Sequence, residues 1–109
     1  MYLIVPRNDY ERDVKALNRS EYELEEMDEV VRTLAESDEY ALTPEFIEGY
    51  YVHELDEPYF GVDGIMDLHL TDDEDNWVLL CRIQGQALWL IRTGTHDSLG
   101  LSRKRRKQR

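Results

Sequence analysis

The chain carries three histidines, His53, His69 and His96, among its 109 residues. An imidazole with an unperturbed pKa of about 6.5 can take up or release a proton near neutral pH, so these residues are the first candidates for general acid–base work. Imidazole is also the commonest metal ligand, and a three-histidine metal site is the competing chemical reading. A strand histidine satisfied by its neighbours is the structural one, and spacing alone leaves all three open. Near the first histidine lie Tyr50, Tyr51, Tyr59 and Phe60. Such aromatics can stack on nucleic-acid bases or fill a core beside a strand. The single cysteine, Cys81, excludes an internal disulfide and a multi-cysteine zinc site. It lies in an apolar run and reads as a small core residue.

The charge balance constrains what such groups can act on. The net charge is −11, but six of the 13 basic residues fall in Arg103 to Arg109, a stretch without an acid. The remaining body sets seven basic residues against 24 acidic ones, and no Lys or Arg lies between Arg32 and Arg82. Most of its surface should repel nucleic acid, while the tail should attract it or fold back on acidic surface. Apolar residues make up 41% of the chain, enough for a folded core. No run approaches the roughly 18 apolar residues of a membrane span. The opening Met1 to Pro6 is too short for a signal-peptide hydrophobic region, so a cytoplasmic location and no membrane partner are expected. The length suits one domain over residues 1–101, followed by a basic tail, 102–109, expected to be disordered.

The elements that must position the histidines follow from periodicity. Tyr2 to Val5 reads as a short strand ended by Pro6. Asn8 with Glu11 resembles a capping box, and Tyr10, Val14 and Leu17 then recur at helical spacing over about 9–18. Ser20 with Glu23 repeats the capping signal ahead of Leu24, Met27, Val31 and Leu34, a second amphipathic helix over about 21–36. The short break at Asn18 to Ser20 predicts an antiparallel helical hairpin. Pro44 can open one helical turn. Tyr50 to Leu55 reads as a strand, followed by a loop over 56–63. In Gly64 to Leu70, Met66, Leu68 and Leu70 point one way, and Asp67 and His69 the other. Trp77 to Ile83 is a dense apolar strand, and Gln84 to Gln86 supplies a hairpin turn. Ala87 to Thr93 is the next strand, where alternation groups Leu88, Leu90 and Arg92. Gly94 breaks it, and His96 to Leu99 makes one helical turn. Helices first and hairpin-linked strands after give an α+β class, order β-α-α-β-β-β-β, with the helical hairpin covering one face of an antiparallel sheet of about four to five strands. The other face, where Asp67, His69 and Arg92 would point, should be partly open.

Several motifs in this frame resemble one family. Trp77 to Leu99 is similar to the YafQ-like branch of the RelE/ParE toxin superfamily, with two strands closed by an Arg-Thr-Gly-[Ser/Thr]-His-x-x-Leu-Phe ending, here Arg92-Thr-Gly-Thr-His96-Asp-Ser-Leu99. Gly64 lies five residues before His69, as in the family's Gly-x-x-x-x-His strand. His53-Glu-Leu55 resembles its His-x-Leu, and Tyr10 to Lys15 resembles its first helix. The likeness covers about residues 7–100.

The resemblance implies a type II toxin of the RelE-like fold: a ribosome-dependent mRNA endonuclease that uses no metal or other cofactor and is neutralised by a cognate antitoxin in a hetero-oligomer. Its partners would be the ribosome, mRNA and the antitoxin. His96 matches the family's closing catalytic histidine and Arg92 its phosphate-contacting arginine. His69 matches the strand histidine and His53 the earliest one, although the intervening loop is longer here. Asp75 is the best match for the acid that precedes the family's Trp, here Trp77, with Asp73 the next. The implied reaction is attack of a ribose 2′-OH on the adjacent phosphate, with His69 as base, His96 as acid or the reverse, and Arg92 bearing on the phosphorane-like charge. Two features depart from the pattern: Gly100 stands where the family has Phe, and the body is acidic where family members are basic. A non-catalytic toxin-like module, a degenerate toxin or a ParE-like gyrase inhibitor, is the alternative. An antitoxin wrapping so acidic a body should present a basic or mainly apolar segment.

Overall fold

The computed structural model describes residues 1–17, 19–37, 43–71 and 77–101. The chain runs β1 (Leu3–Pro6), α1 (Asn8–Ala16), α2 (Glu21–Glu36), α3 (Pro44–Gly49), β2 (His53–Glu54), β3 (Met66–His69), β4 (Trp77–Gln84) and β5 (Ala87–Thr95). Five strands form one sheet in the order β1-β5-β4-β3-β2. The last four are antiparallel neighbours, as expected from their hairpin spacing. β1 joins parallel to β5, Leu3 opposite Ala87, so the sheet is mixed. Candidate residue Asp75, its alternative Asp73 and the tail after Leu101 lie outside the described residues.

Helix α2 starts where its sequence says it should. Ser20 Oγ accepts from Glu23 N–H, and the Glu23 carboxylate accepts from Ser20 N–H. The expected Asn8–Glu11 box does not form. The β1 strand delivers the chain directly into α1, so Arg7 takes the N-cap position without a side-chain cap and Asn8 is already helical. Thr43 caps α3, with Pro44 in its first turn. The strand expected over Tyr50 to Leu55 contracts to two residues, because Tyr50 follows α3 directly and Tyr51 has φ 48°.

One face of the sheet carries the main core. Met27, Val30, Val31, Leu34 and Ala35 of α2, with Tyr10 of α1, pack on Met66, Leu68, Leu79, Cys81, Leu88 and Leu90. Each fully buried leucine contributes about 1.5–3 kcal/mol. Burial pushes the Cys81 thiol up to about 12, as suits an inert core thiol. Trp77 Nε1 donates to Thr93 Oγ1 at 2.9 Å, which in turn donates to the Val78 carbonyl at 2.8 Å, so the core's polar atoms are paired.

Uninterrupted alternation would keep Arg92 with Leu88 and Leu90. A β-bulge shifts the register between Leu80 and Cys81, so Leu80 faces Arg92 while Cys81 faces Leu90. The extra residue sends Arg92 to the opposite face. That face is less open than its sequence suggests. Tyr59, Ile65, Val78, Leu80 and Leu99 make a second, smaller core there, closed by the 55–65 loop and the last turn. Tyr59 Oη donates to the Leu99 carbonyl at 3.0 Å and ties the two together.

Candidate active site

The site is assembled on the second face by three strands and a turn. β2 and β3 place His53 directly opposite Asp67. Residues two apart on β3 share a face, so His69 joins Asp67. His96 arrives from the end of β5. The chain reverses over the sheet there because Gly94, opposite Val78, carries no side chain. A Cβ on Gly94 would lie 2.8 Å from Ser98 Oγ and 3.4 Å from Leu99 Cδ2. Ser98 Oγ accepts from Thr95 N–H and donates to the Thr95 carbonyl, both at 3.0 Å, while Thr95 Oγ1 accepts from Ser98 N–H. This local network fixes the turn on which His96 sits.

The three imidazoles surround one carboxylate. His96 Nε2 lies 3.2 Å from Asp67 Oδ2, His53 Nε2 3.6 Å from the same oxygen, and His69 Nε2 3.8 Å from Oδ1. Ring centroids are 4.8 Å apart for His69 and His96 and 5.9 Å for His53 and His69. Tyr51 packs on both outer histidines, at 4.8 Å from His53 and 5.1 Å from His69. The environment is graded: Asp67 and His96 are 1% and 2% exposed, whereas the His53 side chain is 33% exposed. His53 Nδ1 sits 2.9 Å from the Tyr51 carbonyl. A carbonyl only accepts, so the proton is on Nδ1 and Nε2 is the nitrogen turned toward Asp67. A second nitrogen, His96 Nε2, faces that carboxylate as the donor. Among the described residues, Asp67 Oδ1 and His96 Nδ1 are buried without a hydrogen-bond partner. A carboxylate within hydrogen-bond reach of an imidazole can orient it for acid–base work.

His53 and Asp67 line a cavity of about 610 Å³, bounded also by Tyr51, Tyr59, Phe60 and Gly100. Glu54, Asp56 and Glu57 add carboxylates to its wall, and no Lys or Arg among the described residues lines it. His53, Asp67 and His69 also offer ligand atoms within 4.8 Å of one another, compact enough for a transition-metal ion.

Of the expected site residues, the structure therefore brings His53, His69 and His96 together and leaves Arg92 apart. Asp67, Leu80 and Arg92 are aligned across β3, β4 and β5. They share a face, with Asp67 and Arg92 two strand spacings, about 10 Å, apart. The Arg92 guanidinium turns to Asp13 of α1, with Nε–Oδ2 2.6 Å and Nη2–Oδ1 3.1 Å. These hydrogen bonds raise its pKa further above the usual arginine value. Asp13 Oδ2 also accepts from Thr93 N–H, capping the edge of β5 beyond the end of β1. Asp67 was not among the expected catalytic residues. Its alternation with Leu68 put it on the face of His69, which was the available signal.

No helix among the described residues is long and apolar enough to cross a membrane. No curated protein sequence matches the chain. Solved structures do. The Escherichia coli DinJ–YafQ complex matches at a TM-score of 0.64 and 22% identity over 91% of this chain and 98% of that one. A YafQ point mutant from Escherichia coli matches over the same shares, also with TM-score 0.64 and 22% identity. A copper-bound mutant toxin from Helicobacter pylori matches at a TM-score of 0.65 and 22% identity, over 91% and 99% of the two chains. At these identities the likeness concerns the fold. The family model described as "Bacterial toxin of type II toxin-antitoxin system, YafQ" matches residues 2–100. The chain belongs to the YafQ family of type II toxin–antitoxin toxins.

Proposed function

We propose that this protein is a ribosome-dependent mRNA endonuclease, held inactive by a cognate antitoxin. The observation that carries the reading is the cluster of three imidazoles around buried Asp67, open to a cavity on the His53 side. In the proposed reaction the ribose 2′-oxygen attacks the adjacent phosphorus and the P–O5′ bond breaks. The products are a 2′,3′-cyclic phosphate and a 5′-hydroxyl. One histidine takes the 2′ proton and another protonates the departing 5′ oxygen. His53 and His69, on the more open side of Asp67, take these two roles in either order. To His96, 2% exposed and 3.2 Å from Asp67, this reading gives a positioning role through Asp67 in place of the direct role that its motif implies. The reaction as proposed needs no metal. An ion held by His53, Asp67 and His69 would occupy the nitrogens that the chemistry uses.

The acidic lining of the cavity favours one alternative, a non-catalytic module that captures a basic protein segment. The same lining suits an antitoxin whose wrapping segment is basic or mainly apolar, in a complex like that named for DinJ and YafQ. Inducible expression of the wild type, His53→Ala and His96→Ala divides the readings. The nuclease reading predicts growth arrest with codon-phased mRNA cuts, relieved by both substitutions. An arrest that neither substitution relieves points to a non-nucleolytic target, and no arrest at all favours the capture module.

A further inference from the structure

A second cavity, of about 730 Å³, adjoins the first and shares Tyr59 and Phe60 with it. Its chemistry is the opposite. Arg7, Arg12, Arg82 and Arg92 line it, with Asp9 the one acid among its described lining residues. Four of the seven basic residues in an otherwise acidic body thus meet in one place. Two of the four have their carboxylates already: Arg12 pairs with Asp9 at 3.3 Å and Arg92 with Asp13 at 2.6 Å. Arg7 lies over the Trp89 ring at 5.6 Å, and among the described residues neither it nor Arg82 pairs with an acid. In a chain with 24 acidic residues, two guanidiniums turned to one cavity without a carboxylate leave it suited to an anion from outside.

Phe60 stands on the ridge between the cavities. It is 83% exposed and has φ 49°, followed by Gly61 at φ 81°. Tyr59 and Val62 exchange both backbone hydrogen bonds across this pair, at 2.9 and 3.0 Å. Two central residues with positive φ mark a type I′ hairpin turn, where Asn, Asp or Gly is the favoured first residue. A phenylalanine there helps neither the turn nor the core. Its ring is held edge-on by Tyr59, at 4.7 Å and 89°.

We propose that the arginine cavity binds the phosphate backbone of single-stranded RNA and that Phe60 stacks on a base between that anchor and the histidine site. An exposed aromatic beside a cationic groove is the arrangement that holds single strands without reading their sequence. It also resolves a difficulty of the adjoining site, whose carboxylate-lined wall repels phosphate. This inference rests on the nuclease reading for its biological sense, but binding can be measured without cleavage.

The test uses the full chain and a short 2′-O-methyl RNA, which cannot undergo 2′-OH attack, followed by fluorescence anisotropy across a range of salt. Phe60→Asn should weaken binding about 5- to 100-fold with little change in salt slope, while the thermal midpoint holds or rises. Phe60→Trp should restore binding. Arg7→Gln and Arg82→Gln should each weaken binding several-fold and lower the salt slope by about 0.7 per lost contact. Arg32→Gln, on the outer face of α2, should do neither. The basic residues after Ser102 are present in every variant and cancel in the comparison. Wild-type binding by Phe60→Asn, equal effects of Arg82→Gln and Arg32→Gln, or no RNA binding at low salt overturns the proposal. So does tight binding of a polyglutamate peptide that depends on Arg82 and displaces RNA, which would identify an acidic protein segment as the occupant. Binding of the 2′-O-methyl RNA is read without cleavage, so the nuclease reading can fail while this one stands, and the reverse.

Discussion

Asp67 is the residue around which the proposed chemistry turns. It holds His96 at 3.2 Å and faces His53 and His69 at 3.6 and 3.8 Å while itself almost sealed from water. The three histidines were legible as candidates because a chain with so few of them placed each at a family motif. Asp67 was legible only as a strand neighbour of His69. Its burial is supplied by the loop over 55–65 and by the closing turn, segments distant in sequence that no local pattern connects to it. The family acid sought beyond His69 fell on Asp75, which lies outside the described residues. Asp67→Asn keeps the side chain's shape and removes its charge and proton capacity. Cleavage should fall about 10²–10⁴-fold, with the thermal midpoint within about 4–8 °C of wild type, the shift expected for about 1 kcal/mol. Unchanged cleavage by a folded Asp67→Asn protein would remove the carboxylate from the mechanism.

At the scale of elements, the turn that delivers His96 explains a motif otherwise read only by resemblance. In Arg92-Thr-Gly-Thr-His96, the glycine lies within β5 under the returning turn, where Ser98 Oγ comes within 2.8 Å of the position a Cβ would take. Gly94→Ala should destabilise the fold by about 1–3 kcal/mol and lower cleavage by shifting His96. Ser98→Ala removes the opposing oxygen, so the double variant should lose less stability than the two single changes summed. Additive losses in denaturant unfolding would show that the clash is relieved elsewhere. The helices and the last two strands were readable from period and caps because their signals are local, as at Ser20 and Glu23. The bulge after Leu80 was not, since one extra residue in β5 leaves the hydrophobic pattern nearly intact; it is what reconciles the alternation of Leu88, Leu90 and Arg92 with the expected place of Arg92 on the face of Asp67 and His69. The α1 cap was misplaced for a related reason: the tight passage from β1 leaves no room for Asn8 to remain outside the helix.

For the whole molecule, charge is the property that sequence counts describe least well. A body with 24 acids and seven bases reads as hostile to RNA, yet the sheet brings Arg82 and Arg92 beside Arg7 and Arg12 while the carboxylates gather at the neighbouring cavity. Bringing together residues some 80 positions apart is a property of the fold, and it gives an acidic protein a local cationic surface. The central claim concerns what happens beside that surface: the imidazole cluster promotes attack by a ribose 2′-OH. The most direct measurement incubates purified protein with mRNA programmed on ribosomes, in the presence of EDTA, using RNA with either ribose or 2′-deoxyribose at the mapped cut site. The account predicts cleavage of the ribose RNA to fragments ending in 2′,3′-cyclic phosphate, and no cleavage of the deoxy RNA at that position. Equal cutting of the two RNAs, or cutting that appears only when a metal ion is supplied, would contradict it.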